Sequence, residues 1–179
     1  MENTGFNQVP KKLPKYITKA EISMMLERAK KSKYRDYILL LLLSRSGLRV
    51  SEVTKLRKCD LINGNIMVLL AKGMKDRVVP IEKELGTILG LYSDTMKPKQ
   101  KLFDLSDRQV RNIVYKYSPE GNKVHPHTLR HSFAVFCLMN GMNIRNLQKI
   151  LGHSNLTTTQ IYLDVTGEDI KVDFEKIKW

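Results

Sequence analysis

Apolar positions recur with helical spacing along most of this 179-residue chain and change to a strand-like texture in one short region. Thr18, followed three residues later by Glu21, is a capping-box signature. Ile22, Met25 and Leu26 then repeat on one face, which predicts a helix from Thr18 to about Lys31. Arg35 to Arg45 encloses the longest apolar run, Tyr37 to Leu43, and predicts a helix central to the core. The run breaks at Ser46-Gly47, because glycine takes a left-handed backbone at little cost. LRVSEVTKLR then restarts as helix with Arg49 at its beginning. From Asp60 to Ile81 the pattern becomes β-rich: LI, the turn Asn63-Gly64-Asn65, IMVLL, a second turn at Lys72-Gly73, and VVPI. Asn-Gly is a strong hairpin signal, so a small three-stranded antiparallel sheet is expected.

Helical spacing returns over Glu82 to Tyr92 and over Ser106 to Tyr117, where Val110, Ile113 and Val114 form an apolar face. Pro126 presets the first turn of a further helix that ends at Asn140-Gly141. On it His127, Arg130 and Ala134 share one face, and Leu129, Phe133, Phe136 and Cys137 supply an apolar stripe. Another helix runs from about Asn143 to Leu151 and stops at Gly152, and a short one containing Tyr162 begins near Thr157. The predicted class is α+β, mainly α: a helical domain carrying a small sheet. Residues 1–16, with Pro10 and Pro14 beside Lys11, Lys12 and Lys15, lack periodicity and read as a basic arm or interdomain linker. Residues 17–179 read as one domain whose tail, 167–179, places Ile170, Phe174 and Ile177 at helical spacing.

Composition adds a direction. Lys and Arg number 31 against 18 acidic residues, a surplus of 13 positive charges, which favours a polyanionic partner over an acidic or neutral one. A generally basic soluble surface would give the same total, so placement of the cations decides. Hydrophobic residues make up 42%, which excludes a disordered chain. The apolar run falls well short of the roughly 18 residues a bilayer span needs, so no membrane partner is expected. Cys59 and Cys137 lack metal-ligand spacing, and nothing at the N-terminus resembles a signal peptide, which predicts a reducing, cytoplasmic location.

The stretch from His125 to Asp164 concentrates the candidate chemistry. It holds His127 and Arg130, then His153 just past a helix-ending glycine, then Tyr162. Singly, each has an ordinary explanation: a carbonyl-capping histidine, a core tyrosine, a surface arginine. Together with Arg49 and Lys72 they form a kit for phosphoryl transfer. Two arginines suit the charge on non-bridging phosphate oxygens. Tyr162 is a nucleophile, a phenol with a pKa near 10 that needs positive surroundings and a proton acceptor. His127 and His153 suit hydrogen bonding and proton transfer, and Lys72 on a hairpin turn suits protonation of a departing oxygen. Lys75 and Arg77 near that turn read as a basic finger for a nucleic-acid groove, or simply as a solvated loop. Arg108, Arg111 and Arg145 are further candidates for DNA contact.

The strings SGLRVSEV, AKGMKDRVVPI, HPHTLRHSFA and ILGHSNLTTTQIY together resemble the catalytic domain of tyrosine recombinases, nearest the Xer-like and phage-integrase branch. The resemblance implies the tyrosine recombinase catalytic fold, with Arg49, Lys72, His127, Arg130, His153 and the nucleophile Tyr162 as catalytic residues. It assigns Glu52 to orienting Arg49 or a neighbouring catalytic side chain. It implies cleavage and rejoining of double-stranded DNA through a 3′-phosphotyrosyl link, with no cofactor, metal or ATP. It also implies a homo-oligomer, tetrameric on synapsed DNA and monomeric or weakly associated without it, in a nucleoid-associated location. The N-terminal core-binding domain of that branch is expected to be absent. Two other readings stay open: a type IB topoisomerase-like relaxing activity, and a catalytically degenerate DNA-binding regulator.

Overall fold

A computed structural model of the chain describes residues 15–69 and 76–152. The elements follow the predicted order: α1 (Lys19–Ser32), α2 (Tyr34–Ser46), α3 (Val50–Val53), β1 (Leu61–Ile62), β2 (Asn65–Val68), β3 (Arg77–Pro80), α4 (Lys83–Ser93), α5 (Asp107–Tyr117), α6 (Pro126–Met139) and α7 (Ile144–Leu151). Among the described residues no helix is long and apolar enough to cross a membrane.

Helix α1 begins where the capping box predicts. The Thr18 hydroxyl accepts from the Glu21 amide at 3.2 Å, and the Glu21 carboxylate accepts from the Thr18 amide at 2.8 Å. Helix α2 is the axis of the core. Every residue from Ile38 to Leu43 is at most 2% exposed, so it is apolar on all sides, as befits a helix surrounded by others. Helices α1, α4 and α6 pack around it. A smaller apolar cluster joins α6 to α7 through Ala134, Val135, Leu138, Leu147 and Leu151.

The sheet is antiparallel in the order β1-β2-β3, with Leu61 opposite Ile66 and Val68 opposite Arg77. Asn63 and Gly64 both have positive φ, 49° and 72°, which is the type I′ geometry that the Asn-Gly pair encodes. The second predicted turn, at Lys72-Gly73, lies outside the described residues.

Two expectations are corrected. The helix that begins beside Arg49 is a single turn, because the chain after Thr54 is diverted into an extended pairing: Arg57 bridges Lys101, and Leu102 donates to the Leu56 carbonyl at 2.9 Å. On α6 the buried side is rotated from the predicted stripe. Arg130, Ser132 and Ala134 are buried, whereas Phe133, Phe136 and Cys137 are half-buried. Ser132 faces inward because its hydroxyl accepts from the Ile17 amide at 2.9 Å, tying the approach to α1 onto α6.

Candidate active site

Glycine starts the construction. Gly47 ends α2 with φ of 64°, and a Cβ there would sit 2.5 Å from a Phe133 ring carbon and 2.9 Å from a Leu151 methyl. The backbone therefore passes close against α6 and α7, and it delivers Arg49 two residues later as the residue preceding α3. Gly152 ends α7 with φ of 65°, and a Cβ on it would meet the Arg77 side chain at 3.0 Å. Both glycines satisfy a left-handed turn and a close approach at once.

Three arginines from three parts of the chain meet at the end of α7. Arg77 donates from Nε to the Ile150 carbonyl at 2.7 Å. Arg130 donates to the Leu151 carbonyl at 2.7 Å and to the Gly47 carbonyl at 2.5 Å. Arg49 donates to the Gly152 carbonyl at 3.3 Å. The last carbonyls of a helix have no partner within it and carry its partial negative charge, so cations are favoured there. Arg49 and Arg130 thus hold consecutive peptide carbonyls.

Glu52 organises two of these cations. Its carboxylate accepts from the Arg49 amide at 2.7 Å, from the Arg49 guanidinium at 3.1 Å, and from Arg77 through two parallel bonds of 2.8 Å. Burial acts to raise the Glu52 pKa, but the Arg77 hydrogen bonds, the Arg49 amide and the charges of both arginines outweigh it and hold the carboxyl below its usual range. The trio carries one net positive charge.

His127 stands on the exposed side of α6, one turn before Arg130. Burial first, then the charges of Arg130, Arg111, Arg49 and His125, push its pKa below 6.5. The shift favours the neutral ring, which donates from one nitrogen and accepts at the other. His131, which sequence reasoning passed over, is depressed by burial and then by His127 and Arg130. NMR titration of the ring Cε1 protons is expected to give midpoints below 6.5 for both. Replacing the exposed Arg111 by glutamine removes a nearby positive charge and should move the His127 midpoint upward. An unchanged midpoint would show that Arg111 does not reach it.

The remaining candidates divide. Arg108 and Arg111 are exposed along α5, and Arg145 is exposed in the first turn of α7. Lys72, Lys75, His153 and Tyr162 lie outside the described residues, although His153 directly follows Gly152 in the chain. Arg77 departs from expectation. It lies in β3 rather than at a solvated loop tip, and its side chain is only 8% exposed. Its inward direction follows from strand alternation, since it shares a face with the fully buried Val79, while Val78 points outward. A second feature was not anticipated: residues 56–59 pair with 98–102, and Lys55, Arg57, Lys97, Lys99 and Lys101 occupy exposed positions in and beside that pairing.

A family model described as the phage integrase family matches residues 15–168. The chain belongs to the phage integrase family. Within it, tyrosine recombinase XerA of Thermococcus kodakarensis is 41% identical over 184 residues, covering 96% of this chain and 65% of the relative. Tyrosine recombinase XerD of Staphylococcus epidermidis is 36% identical, covering 90% of this chain and 61% of the relative. The chain thus spans less than two thirds of the length of these curated relatives. Among solved phage integrase family structures, the crystal structure of XerA recombinase aligns with a TM-score of 0.76 at 31% identity, over 95% of this chain and 68% of that one. The catalytic domain of bacteriophage HP1 integrase aligns with a TM-score of 0.70 at 28% identity, over 90% of this chain and 94% of that one. The expected catalytic-domain fold and the Xer-like affinity are both borne out.

Proposed function

We propose that this chain is the catalytic part of a site-specific DNA recombinase that cleaves and rejoins strands through a phosphotyrosine. Tyr162 attacks a backbone phosphorus, its oxygen bonds to the 3′-phosphate, and the 5′-oxygen leaves and takes a proton from Lys72. The 5′-hydroxyl of a partner strand then reverses the step, so the phosphoester energy is retained and no external energy source is consumed. Arg49 and Arg130 hold the non-bridging oxygens, His127 and His153 hydrogen-bond the phosphate and move the tyrosine proton, and Glu52 steadies Arg49. Arg108, Arg111, Arg145 and Lys75 contact the duplex, and copies of the chain assemble as a tetramer on paired sites.

One observation carries the reading. Arg49 and Arg130, 81 positions apart in the sequence, are held on adjacent carbonyls at the end of α7, with His127 one turn before Arg130 on α6. Such an array of fixed donors suits an anion whose charge grows in the transition state. The relatives supply the class: XerA and XerD are tyrosine recombinases.

The test is covalent capture on a library of nicked duplexes with randomised cores. A denaturant-stable adduct is expected, and digestion should locate the nucleotide on the peptide containing Tyr162. An adduct on another residue would sink the assignment of the nucleophile. Salt-sensitive binding with no adduct from any duplex would favour a DNA-binding regulator.

A further inference from the structure

We propose that Arg77 is a positioning residue of strand cleavage: as the buried counter-ion of Glu52 it leaves Arg49 at the rim of the site with donors for phosphate, and it fixes the end of α7. The proposal rests on the cleavage reading above.

Two guanidiniums share one carboxylate, and they share it unequally. The Glu52 side chain is 6% exposed, that of Arg77 8% and that of Arg49 36%. Arg77 grips both carboxylate oxygens at 2.8 Å, whereas Arg49 reaches one at 3.1 Å. Parallel two-point contact is the strong mode for this pair, and a planar fork is what arginine supplies. Arg49 completes its contacts with a long 3.3 Å bond to Gly152. Among the described residues these interactions engage two of its five N–H donors, and the loosely held, more exposed arginine offers the others to an incoming anion.

Without Arg77 this division collapses. A buried carboxylate needs a counter-ion, and Glu52 would draw Arg49 inward as its sole guanidinium partner. The net positive charge of the trio would become zero, and the Arg49 donors would turn from the phosphate to the carboxylate. The second function of Arg77 is mechanical. Its Nε holds the Ile150 carbonyl, and its side chain occupies the space that a Cβ on Gly152 would need. It therefore ties β3 to the carbonyls that Arg130 and Arg49 grip one and two residues further on.

The experiment uses the duplex recovered by covalent capture and compares wild type with Arg77→Met and with the double variant Glu52→Gln, Arg77→Met. Arg77→Met should form adduct roughly 100-fold more slowly, the scale of a misplaced catalytic group. Its affinity should fall and its salt slope shrink by about 0.9, because Arg49 has left its phosphate, and the double variant should recover both, because a buried arginine itself neutralises no phosphate. Removing the stranded carboxylate in the double variant should restore the rate by about tenfold, a coupling expected only between residues in contact. A merely structural role would let the melting temperature of the double variant recover without its rate. That result would overturn the proposal, as would an adduct rate within about threefold of wild type. A salt slope still smaller by about 0.9 in the double variant, where no carboxylate holds Arg49, would make Arg77 a phosphate contact instead. If Arg77→Met does not fold, Arg77→Lys, which keeps the charge but loses the fork, takes its place in the same comparison. Absence of adduct from wild type removes the cleavage reading itself, and this proposal with it.

Discussion

Arg130→Ala is expected to slow adduct formation by roughly 1000-fold, the upper end of what removal of one preorganised donor costs. The protein should also melt at lower temperature, because Arg130 has two jobs. It is 4% exposed, and its guanidinium donates to the Gly47 and Leu151 carbonyls. Deleting it leaves both acceptors in a closed space where each lost bond costs about 1–3 kcal/mol. For a domain of this size, about 3 kcal/mol lowers the melting temperature by roughly 6–12 °C. Arg130→Lys keeps a charge but cannot span two carbonyls, so it should recover part of the stability and little of the rate. Parallel melts and single-turnover capture on the selected duplex would separate the two effects. An Arg130→Ala protein that formed adduct within about tenfold of wild type would show that this arginine does not hold the reacting phosphate.

The second large effect is on folding. Gly47→Ala adds a methyl 2.5 Å from a Phe133 ring carbon, at a backbone angle of +64°. Left-handed backbone costs a non-glycine residue about 1–2 kcal/mol, and overpacking a close contact costs a further 1–3 kcal/mol, so the total is about 3 kcal/mol. Gly64→Ala is the control. It too has positive φ, +72°, but nothing lies within 4 Å of its Cβ position, so only the backbone cost applies. Chemical denaturation should show Gly47→Ala losing about twice as much stability as Gly64→Ala or more. Equal losses would mean that α6 and α7 yield to the added methyl, and that the approach of Gly47 to them is not tightly held.

What could be read in advance was local. The capping box at Thr18, the Asn63-Gly64 turn and the apolar block of α2 each announce themselves within a few residues, and each is where it was expected. Arg49, Glu52, His127 and Arg130 could be nominated from motif and chemistry. Their arrangement could not, because it depends on bonds across 103, 73 and 25 positions. Arg77 is the instructive failure. Cationic neighbours in the sequence suggested solvent and DNA, whereas its shared strand face with Val79 pointed inward and was overlooked. The early end of α3 was equally invisible, since the bridge between Arg57 and Lys101 competes with local helix propensity from 44 positions away.

The rail of carbonyls at the end of α7 also sets an order of events. Its contacts to Arg49 and Arg77 close loops of about a hundred and about seventy residues, whereas α1 packs on α2 across the single connecting residue Lys33. Long loops carry the larger closure entropy, so these polar contacts belong to the late side of the folding barrier. Substitutions among them should then hasten unfolding more than they retard folding. During synthesis, the helices and sheet that precede α7 can collapse while Arg49 and Arg77 still lack their acceptors. The cluster of Arg49, Arg77 and Arg130 at this helix end forms only once residue 152 has left the ribosome, so the nascent chain acquires its apolar scaffold before it acquires this array of cations.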